Sequence, residues 1–177
     1  MNMSKAPVAA VIGHPVNHSR SPRMHNYWLA QFGLVGYYIP LDIDPKKFER
    51  SIRNLPELGF VGANITIPYK EKVLKIADKI SDRAALVGAA NTLTFLQNGG
   101  IYADNTDGYG FLQNIKSKYK DWSASEGISV VFGAGGASRA ILGALLEDGA
   151  SDIILTNRTR YRADQLRSDF GAKVKVV

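Results

Sequence analysis

The sequence predicts an α/β protein, an N-terminal three-layer domain followed by part of a Rossmann-type domain, with the boundary between residues 1–121 and 122–177. Three observations predict it. Short apolar runs closed by Gly or Pro alternate with segments of helical periodicity along the chain. A polar stretch from Asp121 to Gly127, carrying two serines, interrupts that pattern. Beyond it come strand, glycine turn, helix, strand, helix and strand, the alternation of a parallel βαβ sheet.

The elements follow in order. Val8 to Ile12 is a short apolar run ending at Gly13 and reads as a buried strand. Ser21-Pro22 is a helix start, with a capping hydroxyl and an early proline; Met24, Trp28 and Phe32 recur at helical spacing until Gly33 stops the helix. Tyr37 to Leu41 is a second strand. Asp44-Pro45 opens a helix with Phe48, Ile52 and Leu55 on one face, and Gly59 to Ile67 is a third strand. Lys70 to Ile80 reads as an amphipathic helix with Val73, Ile76, Ala77 and Ile80 inward. Thr92 to Gln97 and Ile101 to Ala103 form a hairpin about Asn98-Gly99-Gly100. Asp107 to Tyr119 is helical despite Gly108 and Gly110. In the second region Ile128 to Phe132, Asp152 to Thr156 and Val174 onward are strands, and Ala137 to Glu147 and Arg160 to Phe170 are helices.

Composition excludes several classes. A 45% hydrophobic content supports a folded core, and no apolar run approaches the roughly 20 residues that span a bilayer. Residues Met1 to Pro7 lack the apolar stretch of a signal peptide. There is no cysteine, hence no disulfide, which fits a cytoplasmic location. The net charge of +6 invites a nucleic-acid reading. The basic residues are scattered, however, and the densest group (Lys70, Lys72, Lys75, Lys79) is interspersed with Glu71 and Asp78 and lacks interleaved aromatics. The expectation is therefore a solvated helix face, with no nucleic-acid or membrane partner; a small polyanionic ligand would use only a few of these charges.

The glycine turn carries the clearest chemistry. Gly133-Ala134-Gly135-Gly136-Ala137-Ser138 joins a strand to a helix. Gly133 and Gly135 fill the first two positions of the dinucleotide fingerprint, and Ser138 falls where its third small residue belongs. The first glycine permits a tight turn, the second lets backbone approach a pyrophosphate, and the helix N-terminus offers N–H groups to the phosphates. The next strand ends in Thr156-Asn157-Arg158-Thr159, with Arg162 one turn on, where an NAD enzyme places an acidic residue for the ribose. A guanidinium binds a 2′-phosphate that a carboxylate repels, so NADP is expected over NAD.

Other polar groups are weaker signals by themselves. Ser19 and Ser21 lie two apart before a helix; in an extended segment they share a face and could clamp a carboxylate, although Ser21 could equally just cap the helix. Asn64 and Thr66 share a strand face, and Lys70 follows at a helix start, where a surface lysine is the ordinary reading. Asn91-Thr92 and Asp104-Asn105-Thr106-Asp107 bracket the hairpin, as turn and capping residues commonly do.

Taken in order, these segments resemble the shikimate dehydrogenase family: Gly13-His14-Pro15, His18-Ser19-Arg20-Ser21-Pro22, His25-Asn26, Asn64 to Lys70, Ala89-Ala90-Asn91-Thr92, Asp104 to Gly108, the glycine turn and Asn157-Arg158-Thr159. The resemblance implies a shikimate-binding catalytic domain over 1–121, the first half of an NADP-binding domain over 122–177, and reversible NADP-dependent reduction of 3-dehydroshikimate to shikimate in chorismate and aromatic amino-acid biosynthesis. It implies Ser19 and Ser21 for the substrate carboxylate, and Thr66, Asn91 and Asp107 for ring hydroxyls. Lys70 would carry the proton, with Asp107 as its partner. Asp82, Gly133, Ala134, Gly135, Gly136, Ala137, Asn157, Arg158, Thr159 and Arg162 would serve the cofactor. No metal is implied, and a monomer or homodimer is expected. Family members continue for roughly another hundred residues, as a full dinucleotide fold has strands beyond the third. On this reading the first strand of the second sheet has an unpaired apolar edge, and the 177 residues alone would self-associate and turn over little. The rivals are a non-catalytic fragment, a quinate-using relative, and a methylenetetrahydrofolate dehydrogenase, against which the serine pair argues.

Overall fold

A computed structural model describes residues 6–177. The elements run β1 (Val8–Gly13), α1 (Ser21–Gln31), β2 (Tyr37–Asp42), α2 (Phe48–Asn54), β3 (Phe60–Ile65), β4 (Lys79–Ile80), α3 (Asp82–Val87), β5 (Thr92–Phe95), β6 (Ile101–Asp104), α4 (Asp107–Lys118), β7 (Ser129–Phe132), α5 (Gly136–Glu147), β8 (Ile153–Thr156), α6 (Arg160–Phe170) and β9 (Val174–Val176). They form two compact units. The first holds the chain up to Ser81 together with Ala90–Asp104, the second Asp82–Ala89 together with Asn105–Val177.

The first unit is built on a six-stranded sheet in the order β2-β1-β3-β5-β6-β4. β1 lies between two parallel neighbours, which is why its sequence is a continuous apolar run rather than an alternation; Ala10 and Ile12 are fully buried. β5 runs antiparallel to β3 and β6 antiparallel to β5, joined by the turn at Asn98-Gly99-Gly100. α2 buries Phe48 and Ile52, and the Phe48 ring stacks on Tyr69 at 3.9 Å between centroids.

The first unit departs from the sequence reading in three places. Residues 70–80 do not make one helix. A short 3-10 turn at Lys72–Lys75 precedes the two-residue edge strand β4, so Val73 and Ile76 are buried as expected but Ile80 is exposed. The apolar stripe of α1 is not covered: the helix buries no residue, and Met24, Trp28 and Phe32 are exposed. Its N-cap is Arg20 and makes no side-chain capping bond, so Ser21 is the first helical residue and not the cap.

The second unit contains a three-stranded parallel sheet in the order β7-β8-β9, with α5 and α6 as crossovers. Its core joins Val131, Leu142, Leu145, Ile153, Leu155, Leu166 and Val174. Among the described residues β7 pairs only with β8, and Ile128, Val130 and Phe132 are exposed along it. The helices α3 and α4 pack on α5, which is why both belong to this unit. Gly108 permits that approach: a Cβ there would stand 2.6 Å from the Ala140 carbonyl oxygen. The contact-based division thus follows packing, whereas the 121/122 boundary follows composition. α3 itself has no counterpart among the helices read from the sequence.

The polar segment 121–127 is anchored by Asp148. Its carboxylate accepts from the Lys116 ammonium and, at 2.9 Å, from the Ala124 N–H. These donors hold the carboxyl below its ordinary value of 3.8. A depressed folded-state value means stability that is fully present above 3.8 and is lost as pH falls through the lower folded value. Acid unfolding followed by circular dichroism should therefore show Asp148→Asn less stable at neutral pH, with a shallower loss of stability below 3.8. An unchanged acid limb would show that the pair contributes nothing.

Candidate functional site

In the first unit the candidate residues gather at one edge of the sheet, the carboxyl ends of the parallel strands β1 and β3. β1 ends at Gly13 and leads to Ser19 and Ser21; β3 ends at Ile65 and leads to Thr66 and Lys70. Antiparallel β5 begins at that edge, since Thr92 pairs with Asn64, and the Ile65 N–H donates to the Asn91 carbonyl at 2.8 Å. The loops after β1 and β3 are tied together: the His14 N–H donates to the Ile67 carbonyl, and the Thr66 N–H to the Ile12 carbonyl. Sheet topology therefore brings Thr66, Lys70 and Asn91 to one end of the sheet, and the loop that carries Ser19 and Ser21 leaves β1 at that same end. Carboxyl ends of parallel strands are where open α/β sheets bind ligands.

The local geometry corrects one expectation. The segment 19–21 is not extended, because Arg20 is helical in backbone at φ −88° and ψ −7°. The serines do not share a face by strand alternation. They are linked instead by the Ser21 N–H, which donates to Ser19 Oγ at 3.3 Å. Lys70 is partly buried in the turn after β3, and its carbonyl accepts from the Ala90 N–H at 2.7 Å. Asn91 accepts at Oδ1 from the Thr92 hydroxyl at 2.8 Å.

Several polar contacts at this edge had no local signal in the sequence. His14 meets Asp42 at 2.6 Å, and the Val16 N–H donates to the other Asp42 oxygen. Together they hold the Asp42 carboxyl below its ordinary value. The Tyr38 hydroxyl donates to Asn64 Oδ1 at 2.6 Å. These partners lie 26 to 28 residues apart and meet only through strand pairing.

The second unit carries Asp82 at the start of α3 and Asp107 at the start of α4, where a carboxylate complements the helix dipole. The buried Asn105 donates to the Ala89 carbonyl and accepts from the Asp107 N–H, fixing the entry to α4. The glycine turn lies between β7 and α5. Gly133 has φ +104°, a conformation that favours glycine, and Ser138 is buried against it. Gly135 has ordinary extended backbone, φ −107° and ψ −174°, and a Cβ there would meet nothing within 4 Å. No contact in the unit requires glycine at that position. The space over it is open, above a start of α5 that has no side-chain cap, and a helix start of that kind suits an anion. Ala134, Gly136 and Ala137 complete the turn, with Gly136 and Ala137 in the first turn of α5.

Asn157 closes the turn from the neighbouring strand. Its Oδ1 accepts from the Ala134 N–H at 3.2 Å and its Nδ2 donates to the Thr159 carbonyl at 2.7 Å. Arg158 is exposed beside it, Thr159 is the N-cap of α6, and Arg162 is exposed in the first turn. Arg158, Arg160 and Arg162 thus follow the end of β8 as exposed residues.

An α/β chain with a parallel-strand ligand edge in one unit and a strand–glycine turn–helix in the next has the organisation of a two-domain dehydrogenase. Comparison with known proteins agrees. The family model for the shikimate dehydrogenase substrate-binding domain matches residues 11–93, and that for shikimate/quinate 5-dehydrogenase matches residues 115–177. The NADP(+) shikimate dehydrogenase of Roseobacter denitrificans is 56% identical over all 177 residues, and that of Paracoccus denitrificans 54% identical over 97% of the chain and 61% of its own length. The Aquifex aeolicus shikimate dehydrogenase structure aligns over the whole chain and 64% of its own, with a TM-score of 0.90 at 37% identity. The Thermus thermophilus enzyme, solved with NADP(H) and shikimate, aligns over 96% of this chain and 62% of its own, with a TM-score of 0.85 at 36% identity. This chain belongs to the shikimate dehydrogenase family. It spans 64% of the length of the Roseobacter relative.

Proposed function

We propose that these residues form the shikimate-binding catalytic domain and the first half of the NADP-binding domain of an enzyme that reversibly reduces 3-dehydroshikimate to shikimate. The observation that supports this reading is that β1, β3 and β5 bring Thr66, Lys70 and Asn91, and the start of the loop with Ser19 and Ser21, to one end of the sheet. The substrate has a carboxylate, ring hydroxyls and a ketone, and the edge offers hydroxyls, an amide and an ammonium to meet them. In this assignment Ser19 and Ser21 bind the carboxylate, and Thr66 and Asn91 hold ring hydroxyls, with Asp107 as a further ligand.

NADPH held at the glycine turn would supply the hydride for the ketone carbon. The carbonyl π electrons then pass to oxygen, and Lys70 donates the proton that converts the alkoxide to a hydroxyl. Its positive charge stabilises the developing alkoxide before that transfer is complete. Asp107 is assigned as the partner that keeps Lys70 oriented, and the lysine regains its proton from solvent. Arg158 and Arg162 recognise the ribose 2′-phosphate, and Asp82 borders the nicotinamide side. Cytoplasmic chorismate biosynthesis is the setting this reaction implies, with the enzyme acting as a monomer or homodimer.

The reading is tested by following NADP reduction on addition of shikimate, using a polypeptide that extends these residues to its relatives' full length. Shikimate-dependent reduction supports it; none, from a folded protein that binds NADP, removes it. The clamp is tested separately. Ser19→Ala should raise KM for shikimate about tenfold, the worth of one hydrogen bond to a charged group, and leave the NADP KM nearly unchanged. A rise confined to the NADP KM would reassign Ser19.

A further inference from the structure

Within the first unit one polar chain runs inward from β2 to the candidate site without using any residue assigned above until its last member. The Tyr38 hydroxyl donates to Asn64 Oδ1 at 2.6 Å. Asn64 Nδ2 then faces two acceptors, the Asn91 carbonyl and Thr92 Oγ1, each at 3.3 Å. The Thr92 hydroxyl in turn donates to Asn91 Oδ1 at 2.8 Å. Each link fixes the sense of the next. A phenol that donates commits Asn64 to present its oxygen to β2 and its NH2 to β5. Thr92, accepting from that NH2, has its hydroxyl hydrogen left for Asn91. Asn91 Oδ1 is thereby used as an acceptor, and the other end of its amide, Nδ2, can only donate.

Tyr38 is itself held from α1. Asn26 grips its backbone twice, donating from Nδ2 to the Tyr38 carbonyl at 2.8 Å and accepting from its N–H at 3.0 Å. The His25 ring stacks on the phenol at 4.2 Å between centroids, tilted by 13°. The side chain is buried, and its burial pushes the phenol up to about 12, so it remains a donor throughout the physiological range. α1 buries no residue of its own, so this grip is a specific part of how it is seated, and the same helix begins at Ser21.

We propose that Tyr38 is a positioning residue for the substrate: through Asn64 and Thr92 it sets the amide orientation of Asn91, so that Asn91 reads a ring hydroxyl as a hydrogen-bond donor. This rests on the assignment of Asn91 to shikimate made above. A phenol at position 38 has a polar task that neither packing nor strand pairing requires, since phenylalanine would fill the same space and keep the stack on His25.

The test is calorimetric titration of shikimate, and separately of NADP, into this chain and its variants, with thermal melts of each. Tyr38→Phe should weaken shikimate about tenfold while changing NADP affinity by less than about twofold. Thr92→Val should reproduce that loss, and Thr92→Ser, which keeps the hydroxyl, should bind like the parent. The double variant Tyr38→Phe/Thr92→Val should bind no worse than either single, because both break one chain. Parent-like shikimate binding by Tyr38→Phe, or losses that multiply in the double variant, would overturn the relay while leaving the shikimate assignment intact. A purely structural role would lower the melting temperature and both affinities together, and also overturns it. Failure of the unaltered chain to bind shikimate, with NADP still bound, would remove the assignment of Asn91 and the relay with it.

Discussion

Lys70→Ala, made in a polypeptide extended to its relatives' full length, is expected to lose about 10²–10⁴ in turnover, the usual worth of a positioned acid–base group. The loss should fall on kcat. Lys70 is assigned to act when charge moves onto the ketone oxygen, not when substrate docks, so shikimate and NADP affinities should change little. Backbone and neighbouring side chains hold its position: the Lys70 carbonyl accepts from the Ala90 N–H, and the buried Tyr69 and Val73 fix the turn on either side. The fold should therefore survive the substitution. Steady-state kinetics with both ligands decides the role. Loss of shikimate affinity with kcat retained would make Lys70 a binding residue.

The second large effect is expected at Gly135. A leucine there finds open space and an ordinary backbone conformation, so stability should change by no more than about 1 kcal/mol, the scale of an N-cap exchange. The same side chain would occupy the ground where the pyrophosphate meets the α5 N-terminus. Losing two charge-assisted hydrogen bonds, at about 1.5–3 kcal/mol each, weakens NADP by about 10²-fold or more. Gly133→Leu makes the control. Its φ of +104° imposes strain on any side chain, so it should lower the melting temperature as well as NADP affinity. Melts combined with NADP titration separate the two cases. If Gly135→Leu binds NADP normally, the open space over the turn is not the phosphate cradle.

What could be read from the sequence was what is encoded locally. The strand–glycine turn–helix and the span Arg160–Phe170 rest on short-range spacing, and the structure reproduces that helix end to end. Residues 70–80 failed for a physical reason. Val73, Ile76, Ala77 and Ile80 fit a helical face, but a tight turn buries Val73 and Ile76 equally well, and the strand that follows pairs Ile80 with Ala103. The helical stripe of Met24, Trp28 and Phe32 is real as periodicity, yet the helix is seated through His25 and Asn26 instead. The relay from Tyr38 through Asn64 to Asn91 left no trace in spacing, because its members meet only once β2, β1, β3 and β5 are assembled side by side. Likewise, only packing on α5 assigns α3 and α4 to the second unit, and no linker composition marks it.

The most direct test of the central claim compares kcat/KM for shikimate oxidation with NADP and with NAD in the full-length polypeptide. Arg158 and Arg162 beside the end of β8, with no acidic residue between Thr156 and Arg162, are the features that bear on it. Shikimate should be turned over with a preference for NADP of at least about tenfold, since one charge-assisted contact to the 2′-phosphate is worth about 1.5–3 kcal/mol. Equal rates with the two cofactors, or a preference for NAD, would contradict the account.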